Sequence, residues 1–261
     1  MQNLWDDEEA ARYASAADNP ELGLRVYTSR LLGSNPGLVL HGGGNTSVKS
    51  SVTNLFGEQE QILYVKGSGW DLATILAEGF SPARLDVLAR LAELPAMTDT
   101  AMARELKASM IDPGAPSPSV EAILHAIIPA KFVDHTHTDA VVGISNTPDG
   151  EQRIRDLYGD RVLVLPYVMP GFVLAKQVYE MTRETDWSSL AGIMLMHHGL
   201  FTFGDDARTS YDNMISLVSE AEALLLAQGA LEVARVPYQP EAEDFIALAS
   251  MRRAVGEAAG R

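Results

Sequence analysis

Lys131-Phe132-Val133-Asp134-His135-Thr136-His137 is the stretch on which the fold and the chemistry of this chain both turn. An apolar entry into a His-x-His triplet reads as a strand, and on a strand alternate side chains share a face. His135 and His137 therefore point the same way, roughly 6–7 Å apart along the backbone, and can converge on one ion. A third imidazole from a remote strand would complete a three-histidine set with one position open, the arrangement of catalytic rather than structural zinc. The apolar run Ile193-Met194-Leu195-Met196 leads into His197-His198-Gly199, and spacing alone leaves open which of the two histidines takes that place. His41 and His125 share no strand face with another histidine and read as surface or supporting residues.

Upstream, Asp112-Pro113-Gly114-Ala115-Pro116-Ser117-Pro118-Ser119 breaks the chain, and Val120, Ile123, Leu124, Ile127 and Ile128 then fall on one helical stripe. Ser117 suits an N-cap and Pro118 the first helical position, which predicts Glu121 in the first turn with His125 one turn later on its face. A first-turn acid also serves simply to stabilise a helix dipole. Further upstream, Leu38-Val39-Leu40 is predicted as a short strand running into Gly42-Gly43-Gly44-Asn45, and Ile62-Leu63-Tyr64-Val65 as another running into Lys66-Gly67-Ser68-Gly69. Glycine turns of this kind bring bare backbone close to a ligand, or merely close a hairpin; neither matches a Walker A or dinucleotide pattern.

The rest of the pattern alternates. Residues 1–33 carry helical signals, residues 140–144 form a buried helix start or strand, Arg161 to Leu165 is strand-like, and Pro170-Gly171-Phe172 turns into a helix through Lys176 and Tyr179. Ala207 to Gln228 is a long helix closed by Gly229, and Phe245, Leu248, Met251 and Val255 mark one more. The class is α/β, a sheet layered with helices on its faces.

At 261 residues and 46% hydrophobic content, the chain can bury a full core, with no run of 18 apolar residues and an acidic start that does not resemble a secretory leader. A cytoplasmic protein is expected. Without cysteine, a metal has only histidine, carboxylate and carbonyl ligands to choose from. A formal charge of −15 argues against nucleic acid and anionic membrane as partners, while backbone N–H groups remain able to hold a small phosphate.

Gly44-Asn45-Thr46-Ser47, Lys66-Gly67-Ser68-Gly69, Pro118-Ser119-Val120-Glu121, His135-Thr136-His137 and His198-Gly199, in this order, resemble the class II aldolase/adducin family of zinc-dependent sugar-phosphate aldolases. The likeness spans roughly residues 20–230. The run from Pro118 to Ala140, with Val168-Met169-Pro170-Gly171-Phe172, is most similar to the aldolase portion of bifunctional rhamnulose-1-phosphate aldolase/lactaldehyde dehydrogenases, in which a short-chain dehydrogenase domain follows. The resemblance implies an αβα sandwich around a mixed, mainly antiparallel sheet. Residues 1–235 are read as the catalytic domain, and the helical pattern within 236–261 as a C-terminal segment that docks on the body or on a neighbouring subunit, or begins a longer chain.

The resemblance further implies that His135, His137 and His198 bind zinc or another divalent metal, that Glu121 is the acid/base, and that Gly44, Asn45, Ser68, Gly69 and Ser119 hold a substrate phosphate. The implied reaction is reversible cleavage of a ketose 1-phosphate, rhamnulose 1-phosphate above others, to dihydroxyacetone phosphate and lactaldehyde, in a homo-oligomer and by family habit a tetramer. Val120 stands where the family often has a second serine, which removes one phosphate contact, and the tyrosine that many members supply from a neighbouring subunit has no locatable counterpart. An epimerase, dehydratase or decarboxylase on the same scaffold, a Schiff-base aldolase using Lys66, and a non-enzymatic adducin-like interaction module are the competing readings.

Overall fold

The computed structural model describes residues 1–231 and 241–260. Its first elements are the helices α1 (Asp7–Ala16) and α2 (Pro20–Gly33). The Asn19 side chain accepts hydrogen bonds from the backbone N–H groups of Glu21 and Leu22, and Pro20 occupies the first turn, where its missing N–H costs nothing. β1 (Asn45–Thr53), β2 (Gln59–Lys66) and β3 (Phe80–Arg84) follow, then α3 (Leu85–Leu91), α4 (Asp99–Ala108), α5 (Ala122–Ile127) and β4 (Phe132–Thr136). α6 (Asp139–Ser145), α7 (Gly150–Tyr158), β5 (Val162–Leu165), α8 (Phe172–Met181), β6 (Gly192–Leu195), β7 (Gly199–Gly204) and α9 (Ala207–Ala227) complete the body.

Among the described residues seven strands form one sheet, in the order β3-β2-β1-β4-β7-β6-β5. Only β5 and β6 run parallel; every other neighbouring pair is antiparallel. This is the layered, mixed and mainly antiparallel α/β architecture expected. Two apolar cores flank the sheet: one joins Val48, Phe132, Met194 and Leu200 to α2, α6, α7 and α9, and the other joins Leu63, Val133, Ile193 and Phe201 to α3, α5 and α8.

The period-2 alternation of β4 decides which face carries the chemistry. Asp134 forms an ion pair with Arg25 of α2 at 2.5 Å and accepts from Ser210 of α9, and the Thr136 hydroxyl meets Met214 of α9. Val133 and His135 consequently turn toward α5. Arg25, fully buried, also donates to the carbonyls of Ser47 and Val133, so one guanidinium ties β1 to β4 beneath the site.

Three local expectations give way. Leu38-Val39-Leu40 is not a strand: Leu38 and Val39 bury their side chains from a turn built on the Asn35 carbonyl, and pairing begins only at Asn45. Residues 117–120 do not start a helix, because backbone partners at the end of β2 capture them: Ser68 N–H donates to the Ser117 carbonyl and Ser119 N–H to the Lys66 carbonyl. α5 therefore begins at Ala122 with Glu121 as its N-cap residue, and Val120 is exposed rather than part of the buried stripe. The apolar run that leads into His197 and His198 reads from its pattern as a strand as far as His198, but the strand stops at Leu195.

The chain divides into Met1–Gln228 and Gly229–Arg261. In the second unit α10 (Ala242–Ala258) opens with a capping box between Glu241 and Asp244, and none of its residues is buried. The expected boundary at 235/236 lies outside the described residues. No helix among the described residues is long and apolar enough to cross a membrane.

Candidate functional site

Register brings the site together. Asn45 of β1 lies opposite His135 of β4, and His135 lies opposite Phe201 of β7, so Asn45, His135 and Phe201 share the face toward α5. The His135 ring stacks on Phe201 with centroids 4.0 Å apart, and its Nδ1 lies 3.1 Å from the Leu200 carbonyl. A carbonyl only accepts, so Nδ1 carries the proton and Nε2 presents a bare lone pair. His137, just past the strand, brings its own Nε2 to 3.0 Å from that of His135.

The third imidazole comes from the β6–β7 turn. His197 takes the left-handed conformation there, at φ 59°, and closes the turn whose His198 N–H donates to the Leu195 carbonyl. The His197 side chain leaves the site to meet Asn146, at 2.7 Å from its Oδ1. His198 enters, its ring centroid 5.0 Å from that of His135 and 5.1 Å from that of His137. Gly199 is obligatory at this point, since a Cβ would stand 2.4 Å from the Thr136 carbonyl oxygen, 2.9 Å from the His135 ring and 3.0 Å from the His137 ring. One ring nitrogen from each of the three histidines lies within 4.8 Å of the others.

This donor set fits a divalent cation. Two nitrogens of a tetrahedral zinc site lie about 3.3 Å apart, given bonds of ~2.0–2.1 Å, which is close to the approach seen between His135 and His137. His198 Nδ1 and Glu121 Oε1 are buried and lack a hydrogen-bond partner among the described residues. Burial, more than any neighbour, pushes all three imidazoles below their ordinary range, His135 the furthest. They are therefore neutral at pH 7, the form in which an imidazole can take up a cation, and the approaches of Glu121 to His135 (3.5 Å) and His198 (3.4 Å) are not ion pairs of protonated rings.

Glu121 is nearly buried, and burial raises its carboxyl above the usual range while His198, the Asn45 amide and Lys66 pull in the other direction. Its Oε2 accepts from Asn45 Nδ2 at 2.6 Å. Beside it opens a cleft of about 270 Å³ lined by Gly42, Gly43, Gly44, Asn45, Lys66, Gly67, Ser68, Gly69, Ser119, Val120, Glu121 and His137. The five residues expected to hold phosphate thus line one space with the expected acid/base and one expected ligand. Gly44 needs its glycine twice over, with φ 62° and a Cβ position only 2.7 Å from the His135 carbonyl oxygen. Lys66, the lysine of the Schiff-base alternative, has its Nζ bonded to the Gly42 carbonyl at 2.9 Å.

Residues 24–225 match the family model of the class II aldolase and adducin N-terminal domain. The chain belongs to this family. It is 40% identical over 222 residues to a Bacillus subtilis (strain 168) protein named as the uncharacterized oxidoreductase YuxG, covering 85% of this chain but only 31% of that protein. Among solved structures, the N-terminal class II aldolase domain of a conserved Thermoplasma acidophilum protein is 44% identical, with a TM-score of 0.77 over 86% of this chain and 99% of that one. A sugar-phosphate aldolase from Thermotoga maritima shares the fold at 16% identity, with a TM-score of 0.55 over 81% of this chain and 95% of its own.

Of the two places open to it, surface or supporting, His125 takes the second: it is fully buried, with Nδ1 2.7 Å from Ser47 Oγ and Nε2 2.5 Å from Asn45 Oδ1. The one signal in the sequence is its position four residues after Glu121. His41 is exposed, in a left-handed turn at φ 51°.

Proposed function

We propose that this chain is a zinc-dependent aldolase that reversibly cleaves a ketose 1-phosphate, rhamnulose 1-phosphate above others, into dihydroxyacetone phosphate and lactaldehyde. The observation that carries the reading is the meeting of three neutral imidazoles, one carboxyl and a glycine-lined cleft at a single point of the sheet. Family membership supports a sugar phosphate as substrate, as does the likeness in fold to the Thermotoga maritima sugar-phosphate aldolase.

His135, His137 and His198 would hold the cation. A divalent cation bound there supplies charge stabilisation for the electron pair that the breaking bond leaves on the three-carbon fragment. In cleavage the C4 hydroxyl becomes the aldehyde as it loses its proton, the C3–C4 electron pair stays with C3, and a proton must then be delivered to C3. Glu121 is suited to carry that proton, because burial raises its carboxyl above the ordinary carboxylate range and so eases proton uptake. Gly44, Asn45, Ser68, Gly69 and Ser119 receive the phosphate, anchoring the fragment that stays while the aldehyde departs. The Asn45 side chain stands at the junction, already donating to Glu121.

We read residues 1–235 as the catalytic domain, 236–261 as a helical appendage, and the assembly as a cytoplasmic homo-oligomer, a tetramer by family resemblance. The test is elemental analysis of purified protein alongside a retro-aldol assay on a panel of ketose 1-phosphates. Zinc near one per chain with aldehyde release supports the reading. Epimerised, dehydrated or decarboxylated products would transfer it to another reaction, and a protein that takes up no metal would return it to an interaction module. Glu121→Gln is expected to retain metal and lose most turnover; normal turnover would overturn its role.

A further inference from the structure

We propose that His125 is a positioning residue, whose Nε2–H holds the Asn45 side-chain amide in the one orientation that donates to Glu121. This rests on the acid/base role proposed for Glu121 and reaches one step behind it, to a residue that touches neither the cleft nor the three imidazoles' shared space.

The chain of contacts starts at the carboxyl. Glu121 Oε2 lies 2.6 Å from Asn45 Nδ2, so the amide turns its NH2 to the carboxylate and its oxygen away. That oxygen, Oδ1, meets His125 Nε2 at 2.5 Å. An amide oxygen only accepts, which requires the proton of His125 to sit on Nε2. In a neutral ring Nδ1 is then the acceptor, and Ser47 Oγ, 2.7 Å away, supplies the donor. Ser47 to His125 to Asn45 to Glu121 is one consistent donor sequence. A flipped Asn45 would set oxygen against carboxylate and NH2 against an N–H, losing both bonds at once.

The ring has no alternative charge state to offer, since burial first, then the charges of Lys49 and Arg25, hold it well below the ordinary imidazole range. Its location is equally constrained. Asn45, Ser47 and Lys49 are alternate residues of β1 on one face, and all three grip the α5 segment. Lys49 Nζ donates to the carbonyls of His125 (3.0 Å), Ile128 (2.6 Å) and Ala130 (2.7 Å), pinning the end of α5 so that the His125 ring meets Asn45 in register. A strand and a short helix are thereby fastened so that the last link in the sequence orients a proton-carrying group.

The first test needs no turnover. In the metal-free chain, uniformly labelled with 15N, the ring shifts of His125 are expected to report the neutral Nε2–H tautomer, and the Asn45 side-chain amide is expected to show a downfield, slowly exchanging proton. His125→Leu should abolish that amide signal, and His125→Gln, whose amide can donate to Oδ1, should restore it in part. An Nδ1-protonated ring, or an Asn45 signal unaffected by His125→Leu, overturns the proposal; if the leucine variant does not fold, the tautomer and the glutamine variant decide. With metal restored, His125→Leu should lower kcat about 10- to 100-fold at unchanged metal content. In a Glu121→Gln background the same change should have no further effect, whereas an undiminished loss there would show that His125 does not act through Glu121. Absence of retro-aldol turnover in the unaltered protein would overturn the aldolase reading, and the nitrogen shifts would still decide this one.

Discussion

A methyl group added at Gly199 would collide with a carbonyl and two imidazole rings, whereas one added at Gly42 or Gly69 would meet nothing within 4 Å. The two walls of the site are thus made in different ways. Around the histidines, position is enforced by contact: His135 is clamped between Phe201 and the Leu200 carbonyl, and Gly199 marks where the backbone comes too close for any side chain. Along the glycine turns the crowding is local: Gly44 comes up against the His135 carbonyl and Gly67 against Pro116, while Gly42 and Gly69 leave space free for something to enter. The contrast teaches that glycines a few residues from one another in a motif carry unlike constraints, close approach in one case and conformation in the other.

Breaking the crowded wall should produce the largest effects. His135→Ala removes a proposed ligand and its stacked ring, and metal affinity is expected to fall by more than about 100-fold, beyond what loss of an outer partner costs; a chelator competition series measures it. Gly199→Ala should come next, destabilising the protein by about 1–3 kcal/mol through overpacking and weakening metal binding as both rings shift. Denaturant melts with and without metal check it, and unaltered values in both would remove the contact argument. On the open wall, Gly69→Ala meets only the penalty of its φ of 89°, about 1 kcal/mol, and should raise KM without changing metal content. Gly42→Ala, with neither positive φ nor neighbours, should lie within about 0.5 kcal/mol of the parent in thermal melts. Metal titration by calorimetry sharpens the same comparison in terms of protons. Since burial keeps the three rings neutral at pH 7, ion uptake by Glu121→Gln protein should release almost none, and heats independent of buffer would show it.

Much of this is readable from the sequence, for identifiable reasons. The histidine strand announces itself because a period of 2 is local, α8 because a Pro-Gly turn opens it, and α9 because its length and its closing Gly229 are local too. Sequence pattern fails where a distant partner decides the outcome. Nothing within Ser117-Pro118-Ser119 says that the backbone of Lys66 and Ser68 will claim it, so a sound helix start turns out to be an extended segment. Leu38-Val39-Leu40 has strand composition, yet burial from a turn satisfies the same apolar side chains. His125 is hidden for a related reason: its partners Asn45 and Ser47 are 80 and 78 positions away, and only the pairing of β1 with β4 brings them under α5.

The register of β4 has one more implication. A slip of a single residue against β7 would send Asp134 and Thr136 toward α5 and swing both imidazoles to the opposite side. Only a correctly threaded molecule could then present the three imidazoles to a cation, so an ion bound there would double as an inspector of assembly: chains ripening in metal-replete medium would be drawn by mass action toward the proper threading, and starved ones would lose that pull.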